Sequence, residues 1–192
     1  MKEAITRAFD ESVRAKQAFL RDSIDVVVQA VDAIVTAFGN GNKLLVFGNG
    51  GSAADAQHIA AEFVNRFRIE RPPLPAIALT TDSSALTSIA NDYDYAEIFS
   101  KQLRALGKAG DVALAISTSG NAPNVLLALQ TCRELRIATI GLTGGKGGKL
   151  AEQADHVLCV SETTNTARIQ ETHILIGHVI CELIDAQLFP GN

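Results

Sequence analysis

Apolar residues recur every three to four positions through the first 38 residues: Ala8, Val13, Ala15 and Phe19, then Ile24, Val27, Val28, Val31, Ile34, Val35 and Phe38. Such spacing predicts amphipathic helix, and Gly39-Asn40-Gly41 ends it. Asp22-Ser23 interrupts the stripe, so two helices are expected there rather than one. From Gly39 to Val160 the pattern changes to short apolar runs alternating with helical stretches. The runs are 43–47, 76–79, 112–116, 137–142 and 156–160, each close to a following Gly- or Ser/Thr-containing turn. Continuous rather than alternating hydrophobicity indicates strands covered on both faces, and hence a parallel sheet. The predicted architecture is a doubly wound α/β fold with five parallel strands and flanking helices.

A last helix is expected over 164–189, where Ile169, Ile174, Ile176, Val179, Ile180, Leu183, Ile184 and Leu188 form a wide apolar surface before Pro190-Gly191. The terminal helices carry more apolar surface than one sheet needs as cover, and the excess is assigned to a subunit interface. Residues 1–192 are expected to form one domain, with 1–40 packing on it and on the interface. Arg71-Pro72-Pro73-Leu74-Pro75 is a stiff loop, not a linker.

Composition fits this picture. A chain of 192 residues buries roughly 70% of its unfolded surface. With 47% hydrophobic and 20% charged residues it is an ordinary globular chain. The net charge is -4 and like charges do not cluster, which disfavours nucleic acid or an anionic membrane as partner. Cys132, Cys159 and Cys181 show no C-x-x-C spacing and lie in apolar runs, so reduced, buried thiols are expected. The charged, amphipathic start lacks the apolar core of a secretory signal, and no apolar stretch is long enough to span a bilayer. A cytoplasmic location is the expectation.

Two loops carry candidate chemistry. Phe47-Gly48-Asn49-Gly50-Gly51-Ser52 follows the first strand and opens a helix, where glycines allow close backbone approach and free N–H groups face an anion. No Lys follows the glycines, which excludes a nucleotide P-loop, and no acidic residue stands at the end of the second strand, which weakens a dinucleotide reading. A tight strand-to-helix turn without ligand remains the plain alternative. Ser117-Thr118-Ser119-Gly120-Asn121 follows the third strand, and three consecutive hydroxyls exceed what a helix cap requires. Lacking basic residues, the pair of loops suits a small phosphomonoester better than a polyphosphate. Thr143-Gly144-Gly145-Lys146-Gly147-Gly148 is assigned to turn chemistry.

His58 and Glu62 stand four apart on one helix face, a spacing that suits one divalent metal but also occurs on ordinary solvated helices. Gln170 and His178 lie on the last helix, separated by a rise of about 12 Å and an offset of about 80°. They converge on one ion only by reaching towards each other or from different subunits. Otherwise His178 is a core histidine and Gln170 a surface amide, the reading also given to His156 and His173.

GNGGSAADAQHIAAEF at 48–63, ALTTDSSALTSIANDYDY at 78–95, ISTSGN at 116–121 and ARIQETHILIGH at 167–178 together resemble the phosphoheptose isomerases of the sugar isomerase (SIS) family. The resemblance implies a flavodoxin-like five-stranded parallel sheet and a homotetramer with active sites between subunits. It implies conversion of sedoheptulose 7-phosphate to glycero-manno-heptose 7-phosphate. Carried over by motif, Asn49, Gly50, Gly51, Ser52, Asn91 and Asp92 would contact substrate, and Ser117, Thr118 and Ser119 would hold its phosphate. His58, Glu62, Gln170 and His178 would bind zinc, Glu62 and Gln170 would also touch substrate, and Glu62 and His178 would act as base and acid. Many members have Ser where this chain has Ala122, which implies weaker phosphate binding. The family also closely resembles the DnaA initiator-associating protein, a non-catalytic binder in replication initiation. A pure binder has no chemical need for Glu62 together with His178, and that favours the enzyme.

Overall fold

The computed structural model describes residues 1–191. Helix α1 (Lys2–Gly39) is followed by β1 (Leu44–Gly48), α2 (Gly51–Val64), β2 (Ala76–Ala78), α3 (Ser83–Asp92), a 3-10 turn (Tyr95–Glu97) and α4 (Ile98–Leu106). Then come β3 (Val112–Ile116), α5 (Pro123–Leu135), β4 (Ala138–Gly144), α6 (Gly148–Ala151), β5 (His156–Val160) and α7 (Thr166–Leu188). The strands are all parallel in the order β2-β1-β3-β4-β5. Five parallel strands are what the runs predict, the flavodoxin-like order is what the resemblance implies, and every residue of β1 and β3 is buried.

Each strand sends alternate side chains to opposite faces. Leu44 and Val46 join a core with Ile34, Ile59, Phe63, Ile176, Ile180 and Ile184 under α1, α2 and α7. Leu45 and Phe47 join Phe99, Leu103, Val125 and Leu129 under α4 and α5. Both faces are therefore covered, which is why the strands read as unbroken apolar runs.

The expected break in the amino-terminal helical segment is absent. The amino-terminal segment is a single helix of 38 residues, without a break at Asp22-Ser23. No Gly or Pro lies between Lys2 and Phe38, so nothing removes a backbone donor or clashes with the preceding turn. Ser23 is buried within the helix, whose inner side carries Ala15, Ala18, Val27, Ala30, Val31, Ile34 and Ala37. Tertiary packing overrides the weak local preference of Asp and Ser. The outer side presents Ile5, Phe9, Val13, Leu20, Ile24 and Val28 to solvent, and α7 adds Leu175, Val179 and Leu183. A groove of about 390 Å³ runs between these two stripes.

The thiols are free; Cys132 and Cys181 are buried as expected, whereas Cys159 is only half-buried. Burial pushes the thiols of Cys132 and Cys181 up to about 12, which keeps them protonated and unreactive. Among the described residues no helix is long and apolar enough to cross a membrane.

Candidate active site

With β1 and β3 as neighbours, α2 leaves β1 towards β2 while α5 leaves β3 towards β4. The chain thus diverges between them, and a crevice opens outside their carboxyl ends. Both glycine- and hydroxyl-bearing loops sit there. Gly50 adopts φ 57 and ψ -120, a conformation that a β-carbon disfavours, and it turns the chain sharply into α2. Ser52 is buried beneath the turn, and its N–H donates to Asn49 O at 3.0 Å. The first turn of α2 then faces the crevice with the positive end of the helix dipole.

The second loop is pinned from below and from the side. Ser117 is buried and its N–H donates to Leu142 O at 2.9 Å, while Gly120 N–H closes a turn onto Ser117 O at 3.0 Å. Gly120 has φ 66, and a β-carbon there would collide with the carbonyl of Gly147. The 143–148 turn is therefore the wall against which the second loop rests, a role its composition alone does not disclose. Leu150 N–H to Gly120 O at 2.9 Å and Lys149 N–H to Asn121 Oδ1 at 3.1 Å complete the contact. Thr143 Oγ1 donates to Gly147 O at 3.0 Å, and Thr143 O accepts from the fully buried His173 Nε2 at 2.9 Å. Burial lowers His173 to about 4, so its ring is neutral and structural, as expected.

The two loops are tied to each other by a pair the sequence does not single out. Asn49 Nδ2 donates to Asn124 Oδ1 and Asn124 Nδ2 donates to Asn49 Oδ1, both at 2.9 Å, and Asn124 is almost fully buried. Tyr95 Oη adds a 3.3 Å bond to Asn49 Oδ1. The Asn49 side chain is thus engaged in bracing the first loop. Asn91 and Asp92 end α3, a helix with no buried residue, and bond to each other at 2.8 Å in full exposure.

Further along α2, His58, Glu62 and His178 converge, with one donor atom from each lying within 4.8 Å of the others. His58 Nε2 is 3.0 Å from Glu62 Oε1 and 3.1 Å from His178 Nε2. A tetrahedral metal with bonds of about 2 Å spaces neighbouring ligand atoms by about 3.3 Å. One imidazole nitrogen offers a single proton or a single lone pair, so His58 Nε2 serves only one of its two neighbours as a hydrogen-bond partner. Three potential ligand atoms this close together fit a divalent cation. The cluster lies partly open, with the His58 side chain 47% exposed and that of Glu62 24%. Phe67 stacks on His178 with ring centroids 5.4 Å apart. Asp55, one turn before His58, has a buried oxygen without a partner, and burial raises its carboxyl above the usual range, offset by the nearby His58 charge.

Gln170 is placed differently from the other three expected ligands. It lies over the start of α2, where a β-carbon on Gly51 would approach its Nε2 to 2.6 Å. α2 and α7 run side by side in the same direction, with Gly51 facing Gln170, Ile59 facing Gly177 and His58 facing His178. Gln170 is thus about two turns from the trio along the same seam and beside the first loop.

The family model described as SIS domain matches residues 8–144. The chain is 50% identical over 189 residues to a phosphoheptose isomerase of Thermodesulfovibrio yellowstonii, covering 98% of this chain and 94% of that protein. It is 54% identical over 187 residues to a phosphoheptose isomerase of Aromatoleum aromaticum, covering 96% and 94%. Its fold matches the solved structure of a phosphoheptose isomerase from Neisseria gonorrhoeae with a TM-score of 0.91, at 47% identity, over 96% of this chain and 98% of that one.

Proposed function

This chain belongs to the phosphoheptose isomerase group of the SIS domain family, and on that premise we propose that it interconverts sedoheptulose 7-phosphate and glycero-manno-heptose 7-phosphate for lipopolysaccharide core heptose synthesis. The observation that carries this reading is the convergence of His58, Glu62 and His178 on the same helix pair that bears the first loop. From Gly51 to His58 the helix rises about 10 Å, the scale on which a seven-carbon chain separates its phosphate from its carbonyl end. Ser117, Thr118 and Ser119 are the groups for the phosphoryl oxygens, with the α2 terminus adding its dipole. Asn49, Gly50, Gly51, Ser52, Asn91, Asp92 and Gln170 complete the substrate contacts.

Moving the carbonyl between C2 and C1 takes a proton from one carbon and returns one to the other, through an enediolate whose charge gathers on oxygen. Glu62 is the base, and His178 is the acid through the ring nitrogen that an ion would leave free. His58, Glu62 and His178 are the groups of this chain that would hold a zinc ion, and Gln170, about two turns away over Gly51, would join such a set only from a second subunit. A bound ion supplies Lewis-acid polarisation of the substrate oxygens. Glu62 has two carboxylate oxygens, so one remains for the proton when the other is a ligand. Residues 1–192 form one SIS domain working as a cytoplasmic homotetramer, and the apolar stripes of α1 and α7 are its subunit contacts. The identity of about 50% to phosphoheptose isomerases favours catalysis over the DnaA-associating binder.

The test is direct. Purified protein incubated with sedoheptulose 7-phosphate should form the aldose phosphate, and a chelator should slow it with recovery on added zinc. No aldose from the metal-loaded protein would refute the assignment.

A further inference from the structure

The carboxyl-terminal end of α2 leaves carbonyls without helical partners. One buried guanidinium collects them. Arg71 Nη2 donates to Glu62 O and Nη1 donates to Phe63 O, both at 2.8 Å, with longer bonds from Nη1 to Pro72 O at 3.2 Å and Asn65 O at 3.4 Å. Its Nε donates to Asp185 Oδ1 on α7 at 2.8 Å. The two side chains are 0% and 5% exposed. Arg71 therefore grips the backbone of Glu62 with one edge of its fork and α7 with the other.

Asp185 lies seven residues beyond His178, which returns it to within about 20° of the same helix face. The clamp thus closes the seam that holds the trio, two turns further along. At the level of the trio itself, Gly177 lets the helices meet, since a β-carbon there would lie 2.7 Å from Ile59 Cδ1. The separation of α2 and α7 is set at Gly177 by contact and at Arg71 by hydrogen bonds. A buried ion pair is a poor device for stability, because desolvation offsets its Coulombic gain. It is a good device for fixing a distance, because the planar fork accepts few alternative geometries.

We infer that Arg71 and Asp185 are positioning residues that hold α2 and α7 at the spacing at which His58, Glu62 and His178 converge on one divalent cation. This rests on the reading of those three side chains as metal ligands. Outer groups that orient ligands typically contribute about 10- to 100-fold to metal affinity.

The experiment measures zinc affinity of the full chain by competition with a chromophoric chelator, and thermal stability of the metal-free protein. Arg71→Lys keeps the charge and loses the fork; Asp185→Asn keeps the shape and loses the charge, and stands alone if Arg71→Lys does not fold. Lys43→Met is the control, because Lys43 Nζ pairs with the buried Asp111 at 2.7 Å, away from the α2–α7 seam. The expected result is zinc affinity lowered about 10- to 100-fold in the clamp variants and unchanged in Lys43→Met at comparable thermal destabilisation. Wild-type affinity in folded Arg71→Lys and Asp185→Asn would overturn the clamp, as would an equal loss in Lys43→Met. Absence of zinc binding by the wild-type chain would instead overturn the metal reading on which the clamp rests.

Discussion

The two loops at the carboxyl ends of β1 and β3, and the cluster between α2 and α7, are built on different principles. The loops use consecutive residues, neutral donors and backbone conformation: Gly50 and Gly120 at positive φ, Ser117 fixed to β4, and Asn49 braced by Asn124. The cluster uses titratable side chains from two helices, with His178 separated from His58 by 120 positions. A loop of the first kind fails when a β-carbon is added. A cluster of the second kind fails when a side chain is changed or when two helices drift apart. In the proposed mechanism the labour is thus split between a rigid anion cradle and a reactive pair whose geometry depends on helix packing.

Removing the reactive side should cost most. Glu62→Gln is expected to lower turnover by at least about 100- to 10,000-fold with the circular dichroism of a folded protein and an unchanged cradle. Turnover near the wild-type rate would remove Glu62 as base.

The bridge between the regions comes next. His173 on α7 donates to Thr143 beside the second loop, and its folded value of about 4 lies below the ordinary 6.5. Between those values the unfolded chain binds a proton that the folded chain refuses. Stability is therefore full above about pH 6.5 and falls as pH drops towards 4, by up to about 3 kcal/mol. His173→Gln keeps a donor and cannot titrate, so its thermal stability should lose less than the wild type across that window. Equal acid slopes would show that burial does not hold His173 neutral in the folded protein.

Gly120→Ala tests the cradle itself. A left-handed conformation and a collision with Gly147 together should cost about 1–3 kcal/mol and raise KM for the sugar phosphate while leaving zinc affinity intact. Loss of zinc affinity would mean that the two regions are not separable. The smallest effect belongs to Ala122, which occupies the N-cap of α5 in extended geometry with no side-chain cap. Ala122→Ser should add about 1 kcal/mol of stability and lower KM, read by thermal melts and steady-state kinetics.

The contrast also explains what could be read from sequence. Strands covered on both faces leave continuous apolar runs, and a loop that needs glycine at positive φ displays it, so the sheet and both loops were legible. His58 with Glu62 was legible as a pair because the helix period places them together. What joins distant segments was not: Asn124, Arg71 with Asp185, and the 143–148 turn have ordinary local sequence; the first two find their partners 75 and 114 positions away, and the turn finds its own on the separate loop around Gly120. Gln170 was assigned to the ion by resemblance, whereas its amide lies over Gly51. The unbroken α1 escaped detection because burial of Ser23 is decided by what packs on the helix, not by the helix.

A crystal structure with sedoheptulose 7-phosphate bound to the Glu62→Gln protein addresses the shared pocket most directly. The phosphoryl group is expected on Ser117, Thr118 and Ser119, with C1 and C2 beside residue 62 and His178. A sugar phosphate seated on those hydroxyls with its carbonyl end turned away from the trio would contradict it.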